Sequence, residues 1–306
     1  MPLQLQAAAG INMDSPAYSI VIVTRNRADI LHNVLASLQE LNDSGPEYEI
    51  IVVDNGSTDD TAGAVARKMC NSGLLWKVVR EEEKGICRAR NAGYQNASGD
   101  WVVYLDDDAL VPPDWLQAYA AAIARYPEAA VLGGPATLSR DIRRPWWWCS
   151  KFDWTMSCQD YGETLMPYPE GAHPYGLNMM IRREVLNATG GFDPLLDDAI
   201  SSFADETDLF IRIMKQGGQL IYVPGARVIH DVGQDRFTWR RYMARCELVG
   251  RSHAFLDNRH GTWFRRSLAR RMASAGMELL RYRTPAVIFQ ELHAWNGYRK
   301  QAAQHG

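Results

Sequence analysis

Three aspartates in a row, Asp106, Asp107 and Asp108, directly follow the apolar run WVVYL. Adjacent carboxylates at a strand end repel one another, and unless water solvates them the usual remedy is a hard divalent cation with oxygen ligands. In extended backbone Asp106 and Asp108 project one way and Asp107 the other. A solvated acidic turn is the plainer alternative. A second acidic group, Asp205-Glu206-Thr207-Asp208, opens a stretch of helical spacing. There Asp205 would cap the helix while Glu206 and Asp208 favour its N-terminal dipole. A carboxylate so fixed is also well aimed for proton transfer, although the dipole lowers its basicity. Thr24 and Arg25 end the run YSIVIVT, Asp54 ends YEIIVV and His230 ends GARVIH. Asp54 would serve equally as a helix cap in a strand-to-helix loop, and a lone histidine is more often structural than a ligand.

Bringing these residues together requires strands whose carboxyl ends share an edge. Residues 18–24, 48–53, 76–80 and 101–105 are apolar runs of strand length, separated by helical spacing over 28–41, to about 68, and over 86–97. In the first helix Ile30, Leu31, Val34, Leu35 and Leu38 share a face. Such alternation predicts an α/β fold, a mostly parallel sheet covered by helices on both faces, with ligands beyond the carboxyl ends of its strands. A helix over 114–125, a short strand near 130–132, strands over 177–182 and 219–223, and helices to about 188 and over 206–216 complete the pattern. Residues 136–176 read as an ordered insertion or lid. It holds Trp146, Trp147 and Trp148, whose rings would stack on a sugar, plug a core beneath a loop or dip into a bilayer.

With 306 residues, 46% hydrophobic and 23% charged, the composition excludes a disordered, collagen-like or disulfide-scaffold chain. Five cysteines without a CxxC pair or zinc-finger spacing suit a reducing cytosol. Neither a signal peptide nor a membrane span is expected, so a cytoplasmic location is predicted. The net charge of −3 hides a division: residues 1–235 hold 19 Lys/Arg against 32 Asp/Glu, and residues 236–306 hold 14 against 4. The basic tail is expected to face an anionic membrane surface or the acidic body of the protein, not nucleic acid. Between Trp263 and Arg283, Phe264, Leu268, Met272, Ala275 and Leu279 recur at helical spacing among arginines. That is the pattern of a helix lying peripherally on the inner face of a membrane, and equally of one packing on the rest of the protein.

In order along residues 18–232, VIVTRNR (21–27), VVDNGSTDDT (52–61), GICRARNAGYQNASGDWVVYLDDDALVPPDWL (85–116), GLNMMIRREVLNATGGFD (176–193) and ADETDLFIRIMKQGG (204–218) together resemble the inverting family 2 glycosyltransferases of GT-A fold. The resemblance implies a base-binding contact at Asp54, with Thr24 and Arg25 lining the same pocket, and Arg90 beside the nucleotide. It implies that Asp106 and Asp108 are the outer positions of a DxD motif, binding the ribose and a Mn²⁺ or Mg²⁺ that bridges the diphosphate, with Asp107 between them on the donor side and His230 completing the metal shell. Glu206 takes the place of the general base, with Asp205 its competitor because the acidic order is inverted here. Gly190, Gly191, Phe192 and Asp193 resemble the turn near acceptor and donor sugar.

The implied organisation is an extension (1–17), a catalytic domain (18–235) and a basic helical region (236–306). The implied reaction takes a sugar from a nucleotide-diphosphate donor, UDP-sugar by preference, to a saccharide or lipid-linked glycan acceptor. A nucleotidyltransferase and a non-catalytic sugar-nucleotide or carbohydrate-binding protein are the alternatives. The first would normally carry a Gly-rich phosphate loop where this chain has TRNRAD, and the second has no need of the 205–208 carboxylates.

Overall fold

The computed structural model describes residues 17–42, 47–197, 204–261, 275, 284 and 286–303. Strands β1 (Tyr18–Thr24), β2 (Tyr48–Asp54), β3 (Leu75–Arg80) and β4 (Trp101–Asp106) lie parallel in the order β3-β2-β1-β4. Helices α1 (Ala28–Gln39), α2 (Thr61–Met69) and α3 (Ile86–Gln95) return the chain between them. On α1, Leu31, Val34, Leu35 and Leu38 are buried, and each fully buried aliphatic side chain of this kind contributes about 1.5–3 kcal/mol. β1 divides its side chains between two cores. Ile20 and Ile22 join the α1 residues and Trp115, while Val21 joins Tyr104 and Phe210 on the opposite face.

Register builds the site edge. Thr24 pairs with Asp54 and Val23 with Asp106, so three polar strand ends converge where the chain switches from β2 and β3 on one side of β1 to β4 on the other.

Beyond β4 the sheet departs from the mostly parallel expectation. β9 (Asn178–Arg182) runs antiparallel to both β4 and β6 (Ala129–Gly133), and β8 (Met166–Pro167) runs antiparallel to β10 (Gln219–Tyr222). With the parallel pair of β6 and β10, the eight-stranded sheet is mixed, in the order β3-β2-β1-β4-β9-β6-β10-β8. The run NMMI of β9 is buried on both faces, and such a run carries no sign of strand direction. A second sheet of three short strands, β5 (Ala109–Leu110), β11 (Val228–His230) and β7 (Ala136–Leu138), is ordered β5-β11-β7. Helices α4 (Trp115–Arg125), α5 (Arg183–Thr189) and α6 (Asp205–Lys215) complete the layers. Asn178 is a buried clamp: its Oδ1 accepts from Trp115 Nε1 at 3.1 Å and Tyr119 Oη at 2.7 Å, and its Nδ2 donates to the Ala226 carbonyl at 2.7 Å.

Helices α7 (Trp239–His260) and α8 (Ala286–Ala302) pack on each other and on the segment 136–176. Tyr242 of α7 lies among Trp147, Trp148 and Phe152 and donates to Gln290 Oε1 at 2.9 Å. Trp148 is buried, with Nε1 donating to Asp153 Oδ1 at 2.8 Å, so this part of the tryptophan run plugs a core. Trp146 is 88% exposed. The amphipathic stretch Trp263–Arg283 lies outside the described residues except for Ala275, which is helical and buried, and the extension lies outside them up to residue 16.

Candidate active site

Asp106 and Asp108 meet His230, each offering a ligand atom within 4.8 Å of the others. Asp107 turns aside and accepts from Thr24 Oγ1 at 2.7 Å and from Arg27. His230 arrives through the pairing of β11 with β5, which sets it opposite Ala109, while the Asp231 N–H donates to the Asp108 carbonyl at 2.8 Å. The His230 Nδ1 lies 2.7 Å from the Met156 carbonyl. A carbonyl only accepts, so Nδ1 carries a proton and the ring is fixed in orientation. In the neutral ring Nε2 is then an acceptor, yet it faces Asp108 Oδ1 at 3.0 Å. Two acceptors so placed need a proton or a cation between them. Two carboxylates are the ligands that Mg²⁺ and Mn²⁺ prefer, and an imidazole tilts the set toward a transition ion. The residues present fit such a metal.

Burial raises the Asp106 pKa, with the Asp108 charge adding to it and Arg90 opposing. Asp107 is pushed up to about 6 by burial, against Arg27 and Thr24. Asp108 goes the other way: burial works against its charge, but the hydrogen bond and charge of His230, then Arg27, hold it well below the usual carboxylate range. Its Oδ2 accepts from Arg27 Nη2 at 2.7 Å and Arg236 Nη2 at 3.3 Å.

The start of α6 forms the facing wall. Asp205 and Glu206 share the guanidinium of Arg90 from α3: Nη1 donates to Asp205, and Nη2 to Glu206 Oε1 at 2.9 Å. Arg90 is buried with its guanidinium carbon 5.2 Å from the centre of the Phe192 ring. The Gly176 N–H also donates to Glu206. A Cβ at 176 would sit 1.9 Å from Arg90 Nη2 and 2.1 Å from Glu206 Oε1, so any residue but glycine must push this contact apart. Two carboxylates on one cation leave a negative charge in a buried place. Burial accordingly raises the pKa of both, Arg90 opposing in each case, with the Glu206 charge adding for Asp205 and the Asp106 charge for Glu206.

Between these walls lies a cavity of about 530 Å³ lined by Arg27, Arg90, Asp106, Asp205, Glu206, His230, Arg236 and Arg245, among others. A second cavity, about 270 Å³, lies under α7 and α8 and is lined in part by Trp154, Tyr175, Glu206, Val249 and Gln290. Among the described residues Glu206 is the one that lines both. Asp205 lines only the first.

The other expected residues are placed as follows. Asp54 Oδ1 accepts from the Ser57 N–H at 2.9 Å and Oδ2 from Arg80 Nη1 at 2.7 Å, beside Thr24 and the exposed Arg25. These three flank the strand edge without lining the 530 Å³ cavity. Gly190 and Gly191 turn the chain at φ of 77° and 69°, Phe192 is buried edge-on to Tyr104, and Asp193 accepts from the Leu195 N–H and pairs with Arg259 at 2.6 Å. None of the four lines either cavity; the turn supports Arg90 from beneath. Nothing in the sequence motifs singles out Arg27, two residues beyond Arg25 in the same RNR, and the basic tail is the one sequence signal for Arg236 and Arg245. Nor do the motifs mark the latch at buried Asp208, which holds Arg212 at 2.9 Å, Arg259 at 3.2 Å and His260 at 2.7 Å and ties α6 to α7.

The model of glycosyl transferase family 2 matches residues 19–190, more than half of the chain. The chain belongs to this family. This glycosyltransferase is 31% identical over 224 residues to the glucosyl-dolichyl phosphate glucuronosyltransferase of Haloferax volcanii, which covers 69% of this chain and 67% of the relative. It is 27% identical over 250 residues to the pre-mycofactocin glycosyltransferase of Mycobacterium tuberculosis, covering 79% of this chain and 48% of the relative, so it spans about half of that protein's length. Its fold is similar to that of the mannosyltransferase PcManGT from Pyrobaculum calidifontis, solved with GDP-Man and Mn²⁺, at a TM-score of 0.64 and 20% identity over 96% of this chain and 89% of that one. It is also similar to TarS of S. aureus solved with UDP-GlcNAc, at a TM-score of 0.57 and 15% identity over 94% and 91%. The fold is therefore GT-A. Family membership makes the chain an enzyme that transfers a sugar from a nucleotide-sugar donor to an acceptor, which sets aside the nucleotidyltransferase and the non-catalytic binding module. No described helix is long and apolar enough to cross a membrane.

Proposed function

We propose that this glycosyltransferase is metal-dependent and inverting, takes its sugar from a UDP-sugar, and builds a polysaccharide or cell-surface glycan on a saccharide or lipid-linked acceptor. The observation that carries the mechanism is the position of Glu206 between two cavities. Glu206 receives the proton of the acceptor hydroxyl on one side of the sugar as the bond to the diphosphate opens on the other, which inverts the anomeric centre through an oxocarbenium-like state. Arg90 and the Gly176 N–H hold this carboxylate in one orientation. Asp205, confined to the donor cavity, shares the guanidinium and sets the local charge.

Asp106, Asp108 and His230 would hold Mn²⁺ or Mg²⁺, which supplies Lewis-acid neutralisation of the departing diphosphate. Arg27, Arg236 and Arg245 bring guanidiniums to the same wall, the donors best suited to phosphate oxygens. Asp54, Thr24 and Arg25 contact the nucleotide base, and Asp107 keeps Arg27 in place. Gly190, Gly191, Phe192 and Asp193 act through Arg90. Incubation of the purified protein with a panel of nucleotide sugars and Mn²⁺, read as release of nucleoside diphosphate, tests this reading.

Peripheral association with an anionic membrane on the cytoplasmic side belongs to the same reading. It is supported by an apolar hollow among Trp146, Trp147, Trp239 and Ala286, with Phe289 45% exposed and 5.6 Å from Trp239 between ring centres. Exposed aromatics beside arginine-rich segments suit a lipid headgroup region. The relative that acts on a glucosyl-dolichyl phosphate points to a lipid-linked acceptor.

A further inference from the structure

The 270 Å³ cavity differs in chemistry from its neighbour. Where the donor cavity is crowded with Asp and Arg, the described residues lining this one include no Asp, Lys or Arg, and Glu206 is the one carboxylate among them. Trp154, Tyr175 and His253 supply ring faces, Val249 supplies an apolar surface, and Gln290 supplies an amide. His173 lies in its wall as a neutral ring. Its Nδ1 is 2.8 Å from the Pro174 carbonyl and its Nε2 is 2.8 Å from Thr207 Oγ1, and burial lowers its pKa. Nδ1 therefore donates to the carbonyl and Nε2 accepts from the hydroxyl. The Gln290 amide is likewise set, because its Oε1 accepts from Tyr242 Oη at 2.9 Å. The chamber sets aromatic and aliphatic surface beside a few oriented polar groups, which is how proteins hold small uncharged ligands. A pyranose has that same division, with C–H faces for aromatic rings and hydroxyls for an amide.

We infer that this chamber takes the terminal neutral pyranose of the acceptor and presents its hydroxyl to Glu206. The choice of acceptor then rests jointly on Trp154, His173 and Tyr175 and on α7 and α8, the two helices lying outside the 19–190 stretch that defines the family. An acceptor ring carrying a carboxylate is disfavoured, since its charge would enter beside the Glu206 carboxylate, and the described residues that line the chamber hold no Lys or Arg to pair it. The inference rests on Glu206 being the base.

Ligand-observed NMR tests it, with the full chain, UDP and Mn²⁺ present, using phenyl α- and β-hexopyranosides of the gluco, galacto and manno series and phenyl β-glucuronide as the charged comparison. At least one neutral hexoside should bind and the glucuronide should bind at least about tenfold more weakly. Trp154→Ala removes a ring face and Val249→Phe fills the chamber; each should weaken the bound hexoside by about tenfold or more, with UDP affinity unchanged within about twofold. Thermal melting identifies a variant that fails to fold, and Trp154→Ala then decides alone. Hexoside binding unchanged in the folded variants, glucuronide binding as tight as hexoside binding, or no hexoside bound by a wild-type protein that binds UDP would each overturn the inference. Failure of the wild type to bind UDP would instead strike the donor reading on which it stands.

Discussion

Arg90 Nη2 donates to Glu206 Oε1 across 2.9 Å while the same guanidinium holds Asp205, so one buried cation orients both candidate bases. Removing the cation leaves two uncompensated buried carboxylates. Arg90→Met should therefore lower stability by roughly 3–5 kcal/mol, measured by denaturant unfolding at pH 7. Part of that loss should be recovered at pH 5, where the carboxylates can take up protons.

The space at Gly176 offers a gentler disturbance of the same contact. Gly176→Ala would place a methyl group against both Arg90 Nη2 and Glu206 Oε1, the mobile ends of two side chains. The fold should survive with a loss of about 1–3 kcal/mol, whereas turnover should fall about a hundredfold or more as the base loses its orientation. Calorimetry and nucleotide-diphosphate release separate the two effects.

The raised pKa values of Asp205 and Glu206 carry a sign. From about pH 4, where carboxylates of the unfolded chain ionise, up to the raised native values, the folded protein binds more protons than the unfolded one. The stabilisation from this pair is thus complete at low pH and is lost as pH rises through the native values. Activity should rise over the same interval, since a base must be ionised to act. Asp205→Asn should flatten the stability slope and move the acid limb of kcat/KM to lower pH.

Asp108 Oδ1 and His230 Nε2 are 3.0 Å apart, a pair that a cation can bridge. Asp108→Ala should abolish Mn²⁺-dependent binding of the donor while leaving the fold intact, as followed by UDP titration with and without metal. Excess EDTA should reproduce the loss in the wild type. Full turnover under either condition would remove the metal from the mechanism.

The membrane reading predicts co-sedimentation with vesicles containing anionic lipid, weakened by salt. Because Phe237 and Tyr242 are buried against Trp148, cutting the chain after Val232 would expose that core; Trp146→Ser with Arg265→Glu and Arg266→Glu is the suitable variant. It should lose vesicle binding with unchanged melting. Equal binding to neutral vesicles would contradict the reading.

The half of the sheet that carries the aspartates was legible because each strand is an apolar run cut off by a polar residue, and parallel register does the rest. The direction of β9 was not, since NMMI is buried on both faces whichever way it runs. His230 beside Asp108 depends on β5, two residues long and too short to show a period. Arg90 was expected at the nucleotide, and local sequence has no means of showing that its two partners lie 115 and 116 residues away. The support given to Arg90 by Phe192, and the smaller cavity under α7 and α8, are likewise products of packing between distant segments.

The most direct test of Glu206 as the base is a side-by-side comparison of Glu206→Gln and Asp205→Asn in single-turnover transfer, with donor and metal binding measured on the same samples. Glu206→Gln should bind donor and metal as the wild type does and transfer at least about a hundredfold more slowly, while Asp205→Asn keeps substantial turnover. A dead Asp205→Asn beside an active Glu206→Gln would contradict the account and make Asp205 the proton acceptor.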